Sequence, residues 1–477
     1  MTLHEPVELV PVTELGDVHL IAVGGAGMSG VAALYADLGV RVSGSDRADS
    51  PVLQQLADRG VRVHVGHAAE QLGGADTVVV SSAIAVDNPE LVEARRRGLR
   101  VWHRSAALGA LVLGRRGIAV AGTAGKTTTS AMLATTLVHA GLDPSYVVGA
   151  PLQQTGTSAA LGAGEHLVIE ADESDGSFLQ YPAEVVVVTN VEADHLDNWG
   201  TEEAYRDGFR RFVTAPGVQA VVLCADDPGA AALADRVSEL GDDGPELVLY
   251  GESPLADLVL SDVVVDARST RAHLVWRGNE EGELVVAAPG HHNALDAAAV
   301  YAVARLLGVD SATALAGLAA FAGTSRRFER VAEVGGVLVV DDYAHHPTKV
   351  RAALAAGRAA AGPGRLLVCF QPHLFTRTRD FADDFGAALA LADELVLLDI
   401  YPAREEPIPG VTTALVEQAS ARRLGAEHVH WVPRAEVAAT LAALARPGDL
   451  VMTVGAGDVT TVARELAAVL AGGEDAG

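Results

Sequence analysis

The stretch Gly117-Ile-Ala-Val-Ala-Gly-Thr-Ala-Gly-Lys-Thr-Thr-Thr129 decides how the fold of this chain is interpreted. An apolar run typical of a buried strand leads into a glycine-rich loop, and the helical run Ser130–Ala140 follows. The backbone N–H groups of such a loop surround phosphate oxygens, its lysine reaches the terminal phosphates, and a threonine hydroxyl can bind Mg²⁺. The pattern predicts an α/β nucleotide-binding domain whose phosphate-binding residues are Gly122, Thr123, Gly125, Lys126, Thr127 and Thr128.

The lysine of this loop is one of only two in the chain. Lys126 and Lys349 are the lysines, and every other basic residue is an arginine. A compact ammonium suits a position among phosphates, where a planar guanidinium is not equivalent. Val120 replaces the usual first glycine, which leaves the shorter G-x-x-G-K-T-T form. The scarcity of lysine nevertheless favours a phosphate-binding Lys126 over an incidental lysine in a glycine turn.

Two acidic clusters follow two further strand-like runs. Glu170-Ala-Asp-Glu-Ser-Asp175 comes after His166–Ile169, and Asn190-Val-Glu-Ala-Asp-His-Leu-Asp197 comes after Glu184–Thr189. The carboxyl ends of parallel strands share one edge of the sheet, where ligands bind. Carboxylate oxygens suit Mg²⁺, and a neutral histidine can add a further ligand. One such cluster is more often a solvated turn, but two clusters beside a phosphate loop predict a magnesium site.

A second glycine-rich loop lies near the start of the chain. Gly25-Ala-Gly-Met-Ser-Gly30 follows the run His19–Val23 and opens a helix. Glycines here allow a tight turn and the close approach of a pyrophosphate to the helix N-terminus. Asp46 ends the next strand, where its carboxylate can meet a ribose hydroxyl. This loop predicts a dinucleotide or UDP site. Taken alone, it also fits a nicotinamide-dependent dehydrogenase or a glycine turn without a ligand.

Strand-like runs alternate with amphipathic stretches, which indicates parallel sheets covered by helices. In the first part of the chain the runs are His19–Val23, Val40–Gly44, Val61–Val65, Thr77–Ser81 and Leu99–Trp102. In the last part they are Gly336–Val340, Arg365–Phe370, Glu394–Ile400, His428–Val432 and Leu450–Val454. Between these parts, a more polar stretch from Leu247 to Ala288 indicates antiparallel strands, and a long helix is predicted over Asn293–Leu307.

Length and composition limit the class of protein. The 477 residues suggest three domains, which we expect at residues 1–115, 116–323 and 324–477. A net charge of −27 argues against a nucleic-acid partner, since an acidic surface repels phosphate backbones. Neither a signal peptide nor an apolar run long enough for a membrane span is visible. Cys224 and Cys369 lie in apolar runs and suit a reducing compartment, so we expect a cytoplasmic protein without a membrane partner.

Together these motifs resemble those of the Mur ligases of peptidoglycan synthesis, along nearly the whole chain. The resemblance is closest to the branch that adds L-alanine to UDP-N-acetylmuramate. Beyond the loops and clusters above, it rests on Ser81-Ser-Ala-Ile84, Asn88-Pro89, His103-Arg104, His292-Asn293, Arg326-Arg-Phe-Glu329, Asp341-Asp-Tyr-Ala-His-His-Pro347, Phe370-Gln-Pro-His373, Arg377-Thr-Arg379, Asp399-Ile-Tyr401 and Gly455-Ala-Gly-Asp458.

The resemblance implies a fold and a reaction. The expected domains are a Rossmann-like UDP-binding domain, a central P-loop-type ATPase domain with a mostly parallel sheet, and a C-terminal Rossmann-like domain that binds the amino acid. The expected substrates are ATP, UDP-N-acetylmuramate and L-alanine, and the expected cofactor is Mg²⁺, as two ions. The lactyl carboxylate attacks the γ-phosphate of ATP to give an acyl phosphate, which the amine of alanine then attacks.

The resemblance also implies roles for residues. The implied catalytic residues are Lys126, His195, Arg327, His345 and His373, and the implied metal ligands are Thr127, Glu173 and His195. His292, Asn293, Arg327 and Asp342 would join the phosphate loop in binding ATP. The UDP substrate would contact Gly25, Ala26, Gly27, Met28, Asp46, Ser81, Ser82, Ala83, His103 and Arg104. Tyr343, His345, His373 and Arg377 would bind the amino acid, with Arg377 holding its carboxylate.

Four positions depart from the pattern of that branch. Ala124 stands where a histidine is usual, Ser158 where an asparagine is usual, Asp296 in place of a second asparagine, and Leu374 where some members have arginine. The ATPase frame is unchanged by them. They leave open a ligase of the same chemistry with another UDP-linked or related acid or another amine, and also a nucleotide-binding regulator without catalysis.

Overall fold

The structure of the protein is a computed structural model that describes residues 3–403 and 405–474, with the backbone alone for Ala26, Asp197, Gly473 and Glu474. The chain divides into two compact units. The first comprises the described residues up to Ser261 together with His273–Leu284 and Leu295–Phe321, and the second comprises Asp262–Ala272, Val285–Ala294 and the described residues from Ala322 onward.

The first sheet has the strand order β3-β2-β1-β4-β5, and all of its described pairings are parallel. Its strands are β1 (Val18–Ile21), β2 (Val42–Asp46), β3 (Arg62–Val65), β4 (Thr77–Val80) and β5 (Arg100–His103). The helices between and after them are α1 (Ala26–Asp37), α2 (Pro51–Asp58), α3 (Pro89–Arg97) and α4 (Arg104–Val112). The strand order reverses between β1 and β4, so a crevice opens at their carboxyl ends, where such sheets bind ligands.

The central sheet has the order β15-β14-β13-β12-β11-β10-β6-β9-β7-β8. Its strands are β6 (Arg116–Ala121), β7 (Ser145–Val147), β8 (Ala159–Ala160), β9 (His166–Glu170), β10 (Val185–Val188), β11 (Ala220–Cys224), β12 (Glu246–Gly251), β13 (Leu258–Val265), β14 (Thr270–Trp276) and β15 (Asn279–Val286). The next helices along the chain are α5 (Lys126–His139), α6 (Leu196–Trp199), α7 (Glu202–Val213), α8 (Pro228–Ser238), α9 (His291–Leu306) and α10 (Ser311–Ala319).

The stretch from Leu247 was predicted to be antiparallel, and that prediction is wrong at its start. Strand β12 runs parallel to β11, with Leu247 opposite Val221, and β13 runs parallel to β12. The side chains from Leu247 to Tyr250 alternate between half-buried and buried, and that alternation resembles an antiparallel pattern in the sequence. At the other end of the sheet, β8 runs antiparallel to β7.

The third sheet has the order β16-β17-β21-β18-β19-β20, with β16 antiparallel to β17 and the remaining pairings parallel. Its strands are β16 (Glu329–Val334), β17 (Val337–Asp342), β18 (Leu366–Phe370), β19 (Glu394–Leu397), β20 (Val429–Trp431) and β21 (Leu450–Val454). Its helices are α11 (Pro347–Ala361), α12 (Phe375–Asp380), α13 (Ala382–Leu389), α14 (Ala414–Leu424), α15 (Val437–Leu444) and α16 (Thr460–Glu474).

Apolar residues cover both faces of this third sheet, because its central strands read as continuous runs of valine and leucine. The edge strand β16 was not predicted, since it is only partly buried and carries charged residues. The three sheets confirm the predicted α/β fold with three domains, while the exact domain boundaries remain predictions. Within the described residues, no helix is long and apolar enough to cross a membrane.

Candidate active site

The phosphate loop connects β6 to α5 and holds a buried ion pair. Lys126 Nζ donates to the carbonyl of Gly122 at 2.7 Å and to Glu173 Oε2 at 2.6 Å. The Glu173 side chain is fully buried and that of Lys126 is 13% exposed. Burial alone would lower the pKa of Lys126, but the surrounding carboxylates, Glu173 first, raise it overall. The ammonium is therefore charged at neutral pH and points into the loop.

The backbone of the loop is fixed by the end of β10. Thr189 Oγ1 and Asn190 Nδ2 both donate to the carbonyl of Ala124, at 2.6 and 3.0 Å, and the N–H of Ala124 donates to Asn190 Oδ1 at 2.8 Å. Gly122 has a φ of +136°, and a Cβ there would collide with the Thr189 hydroxyl. Thr189 and Asn190 were not predicted as site residues, although Asn190 opens the second acidic cluster.

The two acidic clusters meet as predicted. Trp199 Nε1 donates to the carbonyl of Glu173 and Asn198 Nδ2 to that of Ser174, both at 2.9 Å, so helix α6 packs on the loop after β9. His195 precedes α6 with a left-handed φ of +53° and lies 3.6 Å from Asp194 through its Nε2. The site thus gathers carboxylates and an imidazole at the ligand-binding edge of the central sheet.

A magnesium ion fits the residues of this edge. Among the described residues, Glu173 Oε1 is buried and has no hydrogen-bond partner, although its sister oxygen holds Lys126. Buried polar atoms are usually satisfied, so an unsatisfied carboxylate oxygen beside a phosphate loop suits a cation. Thr127 Oγ1 donates to Glu170 Oε1 at 3.0 Å, which also makes Glu170 a member of the site that was not predicted.

The glycine-rich loop of the first sheet is held by Asp46 and Arg104. Asp46 Oδ2 accepts the N–H of Gly24 at 2.9 Å. The Arg104 guanidinium lies where a Cβ of Gly27 would be, and it reaches Asp172 at 3.8 Å. Arg104 therefore extends from the predicted UDP loop to the acidic loop. Burial would raise the pKa of Asp172, but the charges of Lys126 and Arg104 and hydrogen bonds from Ser174 lower it.

The remaining predicted UDP-substrate residues differ in their surroundings. Met28 is buried in the core, Ala83 is exposed and Ser81 is half-buried, while the side chain of Ala26 lies outside the described residues. Gly30 is small for a packing reason, because a Cβ there would come within 3.2 Å of the Ala159 Cβ on β8. The last glycine of this motif thus seats α1 on the central sheet.

Ser82 is engaged inside the protein. Its hydroxyl donates to Asp175 Oδ2 at 2.6 Å and lies 3.1 Å from His103 Nε2 and 3.2 Å from His4 Nε2. Burial and the neighbouring His4 lower the pKa of His103 to about 4. His4, His103 and Asp175 each offer a ligand atom near the others, but the Ser82 hydroxyl bonds to all three. The two imidazoles are stacked with planes 17° apart, and both Nε2 atoms face the Ser82 hydroxyl.

The second unit gathers the predicted amino-acid site. Tyr343 and His345 follow β17, and His373 and Arg377 follow β18. In the sheet, β21 lies between these two strands, and all three end at the same edge. The rings of His345 and His373 lie 5.6 Å apart, and Arg377 Nη1 is 3.4 Å from His373 Nδ1. Tyr401, which was not among the predicted site residues, stacks on His373 at 5.9 Å.

Protonation in this cluster is set by burial and by the arginine. Burial first, and then the positive charge of Arg377, lower the pKa of His345 well below its usual value. His345 Nδ1 also lies 2.9 Å from the carbonyl of Tyr343, which orients the ring. His345 is therefore neutral at pH 7, and Arg377 brings a positive charge to the cluster.

The predicted ATP contacts of the second unit lie in two places. Arg327 lies over the Tyr343 ring at 5.1 Å, and the Asp342 carboxylate accepts the N–H groups of Phe328 and Ala344 at 2.9 and 2.8 Å. Burial raises the pKa of Asp342. The buried Asn293 lies in the first turn of α9, beside the exposed His292. The side-chain amide of Asn293 donates to the carbonyl of Pro289 at 2.8 Å.

Comparisons with known proteins cover nearly the whole chain. Three models of the Mur ligase family match consecutive parts of the chain: "Mur ligase family, catalytic domain" matches residues 17–116, "Mur ligase middle domain" matches 120–304, and "Mur ligase, glutamate ligase domain" matches 326–457. The chain is 56% identical to the UDP-N-acetylmuramate–L-alanine ligase of Cutibacterium acnes, over 99% of this chain and all of the relative.

Two solved structures are similar over the same length. The UDP-N-acetylmuramate–alanine ligase of Thermotoga maritima has a TM-score of 0.80 and 28% identity, covering 96% of this chain and 99% of that one. A murein peptide ligase of Psychrobacter arcticus has a TM-score of 0.68 and 26% identity, with the same coverage of both chains.

Proposed function

The chain belongs to the Mur ligase family, and from this premise we propose that it is the ATP-dependent ligase that joins UDP-N-acetylmuramate to L-alanine in peptidoglycan synthesis. The observation that carries this choice of substrates is the 56% identity, from end to end, with a relative of that name. The residues of the site support this chemistry. Such a ligase needs a phosphate-binding loop, carboxylates at the sheet edge that can bind Mg²⁺, and a separate cluster with a positive charge that can bind the amino acid.

The first step would take place at the phosphate loop. The lactyl carboxylate attacks the γ-phosphorus, the bond to ADP breaks, and an acyl phosphate forms. Phosphoryl transfer depends mainly on positioning and on neutralising charge. Lys126, held by Glu173 and Gly122, would direct its ammonium toward the phosphates of bound ATP. Bound Mg²⁺, as two ions, would supply further neutralisation, with Glu173, His195 and Thr127 as its protein ligands.

The second step would use the cluster of the second unit. Arg377 would bind the carboxylate of L-alanine, since a guanidinium matches it with two parallel hydrogen bonds. The neutral His345, together with His373 and Tyr343 beside it, would line the amine, which must lose a proton to attack the acyl carbon. Phosphate leaves with the electrons of the acyl–oxygen bond, and the amide remains.

A ligase of the same chemistry with another acid is the second candidate, and Ala124 is the observation that favours it. Its backbone is held by Thr189 and Asn190, so its position in the loop is defined, yet its methyl group donates no hydrogen bond. An acceptor with a different group at this point would fit a loop without a donor side chain.

Release of ADP by the purified protein tests both candidates. We expect release with ATP, Mg²⁺, UDP-N-acetylmuramate and L-alanine, and little release when the amino acid is omitted. A panel of UDP-linked acids and of amines, at equal concentrations, ranks the substrates by kcat/KM. Another acid that exceeds UDP-N-acetylmuramate would establish the second candidate, and no release with any acid would refute the ligase function.

A further inference from the structure

The segment Leu3–Leu9, called the strap below, is bonded to the loop between β9 and β10. The N–H of His4 donates to the carbonyl of Asp175 at 2.9 Å. At Val7, the N–H donates to Gln180 Oε1 at 2.7 Å and the carbonyl accepts from Gln180 Nε2 at 2.9 Å. These three bonds attach the strap to Asp175 and Gln180 of this loop, within the first unit.

The side chain of His4 completes a hydrogen-bond network at Ser82. Its ring stacks on His103 with centroids 3.7 Å apart. His103 Nδ1 accepts the N–H of Ser105 at 3.3 Å, so the proton of this neutral ring is on Nε2, which faces Ser82. A hydroxyl accepts two hydrogen bonds and donates one. Ser82 accepts from His103 and His4 and donates to Asp175, so its capacity is used in full.

The network joins two parts of the proposed site. Ser82 follows β4, at the ligand-binding edge of the first sheet. Asp175 lies two positions after Glu173, in the loop that also holds Lys126. The second oxygen of Asp175 accepts the N–H of Ser177 at 3.0 Å, which fixes the carboxylate within its own loop. A shift at Ser82 is therefore passed to the loop of Glu173.

We propose that the strap, acting through the His4 imidazole, is a positioning element for phosphoryl transfer, which rests on the ligase function proposed above. It holds the Ser82–Asp175 bond and thereby keeps Glu173 and Lys126 in register with the edge that binds the UDP-linked acid. The carboxylate and the γ-phosphorus must come within roughly 3–3.5 Å in line, so a small displacement costs rate without loss of binding. Within this network, Ser82 and His103 then act as positioning residues for the loop.

Substitutions at His4 isolate the hydrogen bond. His4→Phe keeps a ring that stacks on His103 and removes the donor, and His4→Gln restores an N–H donor without the ring. Glu8→Ala, at an exposed position of the same strap, is the matched control. The measurements are kcat, the KM of each of the three substrates, and the exchange rates of the loop amides at Ser177 and Phe178.

We expect His4→Phe to lower kcat by about 5-fold, the effect of one hydrogen bond between neutral groups, and to leave all three KM values within about twofold. Amide exchange in the loop should rise by a similar factor. His4→Gln should recover most of kcat, and Glu8→Ala should match the wild type. Ser82→Ala combined with His4→Phe should lower kcat less than the product of the single effects, because both changes act on one network.

Three results overturn the proposal: wild-type kcat and exchange in His4→Phe, equal losses in His4→Phe and His4→Gln, or a change confined to the KM of one substrate. Failure of the ligase function is distinguishable. If the wild type releases no ADP with these substrates, the proposed role of the strap in catalysis is refuted together with the ligase function. The amide exchange rates at Ser177 and Phe178 still show whether His4 holds the loop.

Discussion

Lys126→Met should separate the chemistry of the phosphate loop from its stability. Methionine keeps most of the side-chain length and removes the ammonium. Glu173 is fully buried, so its carboxylate would lose the partner that lies 2.6 Å from Oε2. Its other oxygen already has no hydrogen-bond partner among the described residues. The variant therefore leaves a buried charge with neither a counter-ion nor a compensating hydrogen bond from the loop.

The expected loss of stability follows from this burial. Removing one partner of a buried ion pair costs about 3–5 kcal/mol. We expect about 3 kcal/mol for Lys126→Met, because the lysine itself is 13% exposed and its pair is partly screened. Arg236→Met is the matched control. Its contact with Glu239 is equally short, at 2.7 Å, but the two side chains are 51% and 63% exposed. An exposed pair contributes only about 0–1 kcal/mol.

Urea unfolding without Mg²⁺ measures the stability difference, and steady-state ADP release measures the chemistry. Loss of a preorganised charge that acts on the transferring phosphoryl group should lower kcat by about 10²- to 10³-fold or more. The affinity for the UDP substrate, measured by calorimetry, should stay within about twofold, because the UDP loop lies in the first sheet.

Adding Glu173→Gln to Lys126→Met tests the reasoning itself. The neutral amide needs no counter-ion, so the double variant should regain most of the lost stability but none of the activity. Equal stabilities for Lys126→Met and Arg236→Met, or a double variant less stable than the single one, would refute the buried-pair explanation. Lost affinity for the UDP substrate would contradict the division of labour between the two loops.

Three further predictions follow. Arg377→Ala should raise the KM for L-alanine by roughly 30- to 150-fold and that for ATP by less than about threefold, whereas the exposed Arg379→Ala should change neither; equal effects on both substrates would make Arg377 structural. Ala124→His should raise kcat/KM for UDP-N-acetylmuramate if that acid is the natural acceptor, and should be neutral or harmful if it is not. The free energy of unfolding should fall by about 1–3 kcal/mol as the pH drops from about 6.5 to 4, because the pKa of His103 is about 4 in the folded protein and near 6.5 in the unfolded chain. The variant His103→Asn should flatten this pH dependence. The control His139→Asn, at an exposed position, should leave it unchanged.

The loops and strands were predictable because they depend on local sequence. A glycine-rich loop between an apolar run and a helix has few alternatives, and the phosphate loop at Lys126 was predicted with its strand and helix. The two acidic clusters were predicted to meet because the carboxyl ends of parallel strands share an edge. Trp199 and Asn198 bear this out through their bonds to the acidic loop.

The direction of β12 and the existence of β16 were not predictable in this way. Both strands are only partly buried, and partial burial produces patterns that do not reveal strand direction. Tyr401 was visible within a motif, but its place against His373 depends on two strands meeting at one edge.

The sequence by itself determined the α/β class, the phosphate loop and the types of residue at the site, because these follow from periodicity, glycine conformation and the chemistry of short motifs. Only the tertiary structure decided which partner each polar side chain takes. One oxygen of Glu173, a candidate metal ligand, accepts a hydrogen bond from Lys126. The hydroxyl of Ser82 is hydrogen-bonded to His4, His103 and Asp175. Hydrogen bonds join groups far apart in the chain, and their geometry exists only once the sheets have packed.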